Sequence, residues 1–356
     1  MHRRTFLAST SALAAVTVAG GAALSANNGA RSVVATFSIL GDMVQRVAGA
    51  HAQVTTLVGA NGDTHVYSPT PTDAQALSKA DLLVVNGLEF EGWLDRLIDA
   101  SDFNGERIVA TDGIDLIAYD GDQDGHHEDG DKEEHGHSDH AEKDDHGHED
   151  HAEKDDHGHE DHAKKDDDHD AEDDHHGHDH GAFDPHGWQS VQNAVIYVNN
   201  IAAALSKIAP ESADAFEANR AGYIAELEAL DSDVRALFET LPPERRTIVT
   251  SHDAFQYFGR AYGLTFLAPQ GLGTESEASA KDVARLIRQI REQNISAVFV
   301  ENVADKRLVQ QIAAETGVKI GGTLYPGALS GPDGPAPTYL EMIRHNATTL
   351  AQALSS

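Results

Sequence analysis

The stretch Ser32-Val-Val-Ala-Thr-Phe37, then Ile39-Leu-Gly-Asp-Met-Val-Gln-Arg-Val47, then Val54-Thr-Thr-Leu-Val58 sets the fold class. A short, continuous apolar run is followed by apolar residues at helical spacing (Ile39, Leu40, Met43, Val44, Val47) and by a second short run, which predicts strand, helix, strand. The series continues with a helix over Asp73 to Lys79 and strands at Leu82 to Val85 and Arg107 to Ala110. After a long polar interruption, Val191 to Ile208 reads as an amphipathic helix. Glu211 to Leu241 is a longer helical pattern that stops at Pro242-Pro243, and a helix of roughly 25 to 30 residues there would span about 40 Å. Alternation then resumes. Strands are expected at Thr247 to Thr250, Leu264 to Leu267, Ala297 to Val300 and Val318 to Ile320, and helices at Ala254 to Tyr262, Ser279 to Gln293 and Lys306 to Thr316. Short strands between helices imply parallel sheets. The expected architecture is α/β with two lobes, each a parallel sheet flanked by helices. The N-terminal lobe covers 27–210, a connecting helix 211–241 and the C-terminal lobe 242–356.

The polar interruption, 120–180, holds 16 of the chain's 22 histidines, 27 acids and five lysines. It repeats every eleven residues from His135, beginning His-Gly-His-Ser-Asp-His-Ala-Glu-Lys-Asp-Asp. With almost no apolar side chains it cannot offset the entropy of ordering, so disorder is expected. Neutral imidazoles and carboxylates together make it a loop that binds borderline divalent metals such as zinc. A solvated acidic linker would account for the acids but not for the repeated His-x-His spacing.

Residues 1–26 read as a signal peptide. Arg3-Arg4-Thr5-Phe6-Leu7 resembles the twin-arginine type, and the Ala- and Gly-rich stretch to Leu24 is too weakly hydrophobic for a membrane anchor. The chain has no cysteine, so neither a disulfide nor a lipidated cysteine is available. A periplasmic location is expected. A net charge of −33 argues against nucleic acid as a partner, and Gly271-Leu-Gly273 lacks the rest of a dinucleotide fingerprint.

Outside these segments remain His51, His65, His186, His252 and His345. His51 and His345 read as ordinary caps or surface residues. His65 follows a strand in Asp63-Thr-His65-Val-Tyr-Ser-Pro69, His186 precedes a helix in Asp184-Pro-His186-Gly-Trp188, and His252 directly follows a strand in Ser251-His252-Asp253-Ala-Phe255. In open parallel sheets such loops converge on ligands. Three imidazoles can form three corners of a tetrahedral zinc site, and their separations exclude a local zinc finger.

With these motifs, the Phe299-Val-Glu301 strand end and the closing Thr338 to Asn346 helix, the chain resembles the substrate-binding proteins of bacterial ABC importers for zinc and manganese. The resemblance covers nearly all of the chain outside the signal. It implies metal held in a cleft between the lobes by His65, His186 and His252, a rigid connecting helix, and a loop rich in His and Asp between the first two ligands in zinc members. Manganese relatives tend to have glutamate where His252 stands, so zinc is the expected cargo, carried rather than used as a catalytic cofactor. The expected partner is the membrane permease of an ABC importer. An accessory periplasmic zinc chaperone stays open, and the protein is expected to act as a monomer. The chain departs from the family at Gly327, where many relatives supply an aspartate ligand; water, Asp333 or Glu301 are the candidates for the fourth corner. The competing readings are a manganese or iron carrier of the same fold, a zinc-dependent hydrolase and a zinc buffer. No general base stands out, so a non-enzymatic role is expected.

Overall fold

In strand β1 (Arg31–Phe37) every residue from Val33 onward is buried. Both faces of that strand are therefore covered, which places it inside a sheet. The computed structural model describes residues 31–119, 182–295 and 297–355. The expected signal peptide and the histidine-rich loop lie outside the described residues.

β1 pairs in parallel with β2 (Ala52–Val58) and β3 (Leu82–Val85), and β3 pairs with β4 (Glu106–Val109), giving the order β2-β1-β3-β4. The second sheet repeats this pattern with β5 (Thr247–Val249), β6 (Thr265–Leu267), β7 (Ala297–Glu301) and β8 (Lys319–Leu324) in the order β6-β5-β7-β8, again all parallel. In each sheet the chain reverses its direction of travel between the two central strands, β1 and β3 or β5 and β7. Loops leaving the carboxyl ends there diverge and open a crevice.

Helices α1 (Ser38–Ala48), α2 (Pro71–Leu77), α3 (Leu94–Ser101) and α4 (Val191–Ile208) belong to the first sheet. The helices α6 (Gln256–Tyr262), α7 (Ala280–Glu292) and α8 (Lys306–Thr316) belong to the second. The connecting helix α5 (Ala213–Glu239) buries Phe216, Tyr223, Leu227, Leu230, Val234 and Phe238, a stripe at spacings of three, four and seven that keeps one face inward. It packs on α1 and α4, on α6, and on α9 (Tyr339–Ser355).

One apolar cluster runs from Val33 and Phe37 through Trp188, Tyr197, Phe216 and Phe238 to Phe255, Phe258, Tyr339 and Leu350. The lobes thus share a core, and a smaller cluster of Val249, Leu286, Ile290, Val298, Val309 and Ile312 fills the space between the second sheet and α7 and α8. Among the described residues no helix is long and apolar enough to cross a membrane.

Several boundaries differ from the sequence reading for local reasons. α2 starts at Pro71, because Thr70 accepts from the Asp73 N–H while the Asp73 carboxylate takes the Thr70 N–H in return. The connecting helix begins at Ala213, after a separate 3-10 turn at Pro210–Ser212. β8 continues through Gly321 and Gly322 to Leu324, and α3 is a short helix that was not anticipated.

Candidate metal centre

Register brings the second sheet's contribution together. Val249 of β5 pairs with Val298 of β7, so His252 and Glu301, each three residues further on, leave the crevice edge side by side. Glu301 Oε2 lies 2.5 Å from His252 Nδ1, and Glu301 Oε1 accepts the Ser251 and His252 N–H groups at 2.8 and 3.2 Å. The loop from Ser251 to Phe255 stays irregular: the Asp253 N–H donates to the Gly271 carbonyl, and α6 starts only at Gln256.

His186 is held in the same manner. Asp184 Oδ1 accepts the His186 N–H at 2.9 Å and lies 2.8 Å from His186 Nδ1. Trp188 and Gln189 then anchor this loop by donating to the Pro326 carbonyl, and Ser190 opens α4. His65 shares the Asp-x-His pattern, with Asp63 Oδ1 accepting its N–H at 3.0 Å while Asp63 Oδ2 accepts the Thr274 hydroxyl at 2.5 Å. Trp93 fixes the neighbouring peptide through Nε1 donating to the Thr64 carbonyl at 2.8 Å.

The three imidazoles form a nearly equilateral triangle, with ring centroids 5.5 Å apart for His65–His186, 5.8 Å for His65–His252 and 5.5 Å for His186–His252. Among the described residues they make the one group of three or more metal-capable side chains, with ligand atoms all within 4.8 Å of one another. A tetrahedral ion with bonds of about 2.0 to 2.1 Å spaces its nitrogens about 3.3 Å apart, so the three imidazoles would have to draw in around an ion to supply three of its corners. With Nδ1 of His186 and His252 facing carboxylates, Nε2 is the nitrogen left for a metal. His186 Nε2 is buried without a hydrogen-bond partner, an arrangement that fits a site built for a cation.

Of the candidates for a fourth corner, Glu301 is engaged behind His252, Asp333 is exposed and outside the group, and a side chain at Gly327 would meet open space. The supporting roles of Asp63 and Asp184 were not read from the sequence, although the repeated Asp-x-His signalled them.

Burial dominates the electrostatics. It pushes Asp184 up to about 7 and Asp253 up to about 6, and it raises Asp63 against hydrogen bonds from Thr274 and His65. Burial also holds the His186 imidazole well below its ordinary range, which keeps it neutral and able to bind a metal. For His252 burial alone would lower the value, but Glu301, with Asp63 and Asp253, raises it overall. A cation at the centre of the triangle would sit among these acids and relieve the cost of ionising them.

Comparison with known proteins agrees with this architecture. The family model described as ZnuA, zinc-uptake complex component A, periplasmic, matches residues 33–353. The manganese-binding lipoprotein MntA of Halalkalibacterium halodurans is 29% identical over 91% of this chain and 88% of its own length. The iron-binding protein YfeA of Yersinia pestis is 28% identical over 90% of this chain and 85% of its own. Among solved structures, the periplasmic zinc binding protein TroA of Treponema pallidum superposes with a TM-score of 0.72 at 26% identity, covering 92% of this chain and 99% of that one. The Mn-bound periplasmic metal binding protein of candidatus liberibacter asiaticus does so with a TM-score of 0.68 at 29% identity, covering 91% and 99%. The paired parallel sheets, the long helix and a family match over nearly the whole described chain make this protein a member of the ZnuA family, the metal-binding substrate-binding components of ABC transporters, which carry their cargo without transforming it.

Proposed function

We propose that the protein captures one Zn2+ with His65, His186 and His252 and delivers it to the permease of an ABC importer. The observation that carries this reading is the all-nitrogen donor set, two of whose three imidazoles have their Nδ1 engaged by a buried carboxylate. Three imidazole nitrogens and one open position suit a borderline, tetrahedral cation, whereas manganese takes oxygen-rich, higher-coordinate shells. The histidine-rich composition of 120–180 supports the same metal. Export to the periplasm through the twin-arginine route accords with the arginine pair at the N-terminus. Relatives named for manganese and iron supply the rival cargoes.

Elemental analysis combined with competition titration tests the reading. One tight zinc equivalent is expected, preferred over manganese by several orders of magnitude, and His65→Ala, His186→Ala or His252→Ala should each weaken it by at least about 100-fold, more than the loss of a supporting group would. Retention of wild-type zinc affinity in any two of the three variants would defeat the ligand assignment. Stoichiometric manganese under equal competition would defeat the choice of cargo.

A further inference from the structure

At the reversal point of the first sheet, three consecutive residues after β3 occupy the left-handed region: Gly87, Leu88 and Glu89, with φ of 85°, 54° and 62°. Only the first is glycine. Side chains at the other two positions make the conformation unfavourable, so the surroundings must hold it. The holding group is Glu91, a buried carboxylate that accepts the Asn86 N–H on Oε1 at 2.7 Å, the Gly87 N–H on Oε2 at 3.1 Å and the Thr36 hydroxyl on Oε1 at 2.6 Å. The turn leads out to both lobe-one members of the triangle. Phe90 packs edge-on to His65 at 4.8 Å and to His186 at 5.8 Å between ring centroids, and it is itself wedged against Phe37 and Trp188. The Asn86 side chain donates to the Pro185 carbonyl at 2.9 Å, one residue before His186, while its oxygen accepts the Tyr197 hydroxyl at 2.8 Å.

We propose that the Asn86–Glu91 turn is the positioning element of the metal centre: Glu91 holds the turn, Phe90 sets the ring planes of His65 and His186, and Asn86 fixes the peptide that carries His186. The proposal rests on the reading that the three imidazoles bind metal. A strained turn beside a site, clamped by the buried carboxyl group of Glu91 and touching two proposed ligands from different loops, has a stronger claim to this role than to filling space. Strain of this kind is tolerated where geometry must be held.

The test loads the metal-free full-length chain with one equivalent of Co2+, removes loosely held ion by desalting, and records the visible spectrum, whose intensity reports coordination geometry. Zn2+ release into excess chelator and the melting temperature of the metal-free protein are measured alongside. Phe90→Leu preserves apolar bulk but removes the ring, and it should change the Co2+ spectrum and speed zinc release by about 10- to 100-fold. Glu91→Gln should do the same by turning one acceptor into a donor that faces N–H groups. Adding Glu89→Gly to Glu91→Gln relieves the left-handed strain and should restore part of the lost retention. A Phe90→Leu protein with a wild-type spectrum and a release rate within about twofold overturns the proposal, whatever its melting temperature, and decides alone if Glu91→Gln does not fold. An impaired Glu91→Gln protein that Glu89→Gly fails to improve overturns the assignment of Glu91. Failure of the wild-type chain to retain one equivalent would instead sink the metal-centre reading itself.

Discussion

At the scale of single residues, the carboxylates behind the imidazoles would decide which ring nitrogen meets the proposed metal and what that costs. Asp184 bears the clearer signature. Burial is the largest influence on it and pushes it up to about 7, against hydrogen bonding from His186 and the nearby charges of His252 and Arg260. In the metal-free chain the folded state therefore holds a proton on Asp184 more firmly than the unfolded state does. That contribution to stability is complete below about pH 4 and is lost as the pH rises through 7, a change on the order of 4 kcal/mol. Asp184→Asn keeps an acceptor for His186 Nδ1 and removes the titration. The stability of the metal-free wild type relative to this variant should then fall between about pH 5 and pH 8 in denaturant melts, and a pH-independent difference would show that Asp184 ionises normally. At the third proposed ligand, His252→Glu would keep a donor while hardening the shell. Selectivity should move toward manganese, and a variant that still excludes it would remove His252 as the discriminator. His65, His186 and His252 were legible in sequence because each stands beside a strand end or helix start with little else to explain it. Phe90, Asn86 and Glu91 were not, since a turn held by a buried carboxylate leaves no periodic signal.

At the scale of elements, the alternation of apolar runs and helical spacing was enough to place the strands and most helices, because strands buried on both faces read as continuous apolar runs. Glycine misled the reading at β8. Gly321-Gly322 resembles a strand end, yet the strand continues, since α9 and Phe299 approach it too closely for a side chain. A Cβ at Gly321 would stand 2.6 Å from the Phe299 ring and 2.9 Å from the Ala353 Cβ. Close approach of this kind depends on which elements pack together, and local sequence does not carry it. α3 was missed for a related reason: it is eight residues long and buries only Leu94, Leu97 and Ser101, too few turns for a periodicity to stand out. Gly321→Val should therefore destabilise the fold by about 1 to 3 kcal/mol through overpacking. Because a side chain at Gly321 would press on Phe299 and Ala353 rather than on the three histidines, zinc affinity measured well below the melting temperature should change less than about threefold, in contrast to the His65, His186 and His252 variants. A melting temperature equal to wild type would show that α9 can withdraw from the sheet at no cost.

At the scale of the whole molecule, two copies of one strand order share an apolar core and are spanned by α5, so the loops that carry the three histidines are held by common packing. A metal site prepared in this way would need little ordering when the ion arrives, whereas the composition of 120–180, 16 histidines with almost no apolar residues, predicts many interchangeable ligand sets. The two should therefore differ in affinity and in response to acid. Removing residues 125–180 is expected to abolish several weak zinc equivalents, to leave one tight equivalent, and to slow zinc acquisition chiefly when the metal is scarce. Lowering the pH through about 6 should release the weak equivalents first, because imidazoles of ordinary basicity protonate there. In the triangle His186 is held neutral by burial and competes less readily for protons, while Glu301 makes His252 the imidazole that acid reaches sooner. Isothermal titration of the full chain and of the deletion variant, each at about pH 7.5 and pH 5.5, separates the two populations. Should the single tight equivalent vanish with the segment, the principal site would lie within 120–180 and the triangle of His65, His186 and His252 would lose its place as the centre of transport.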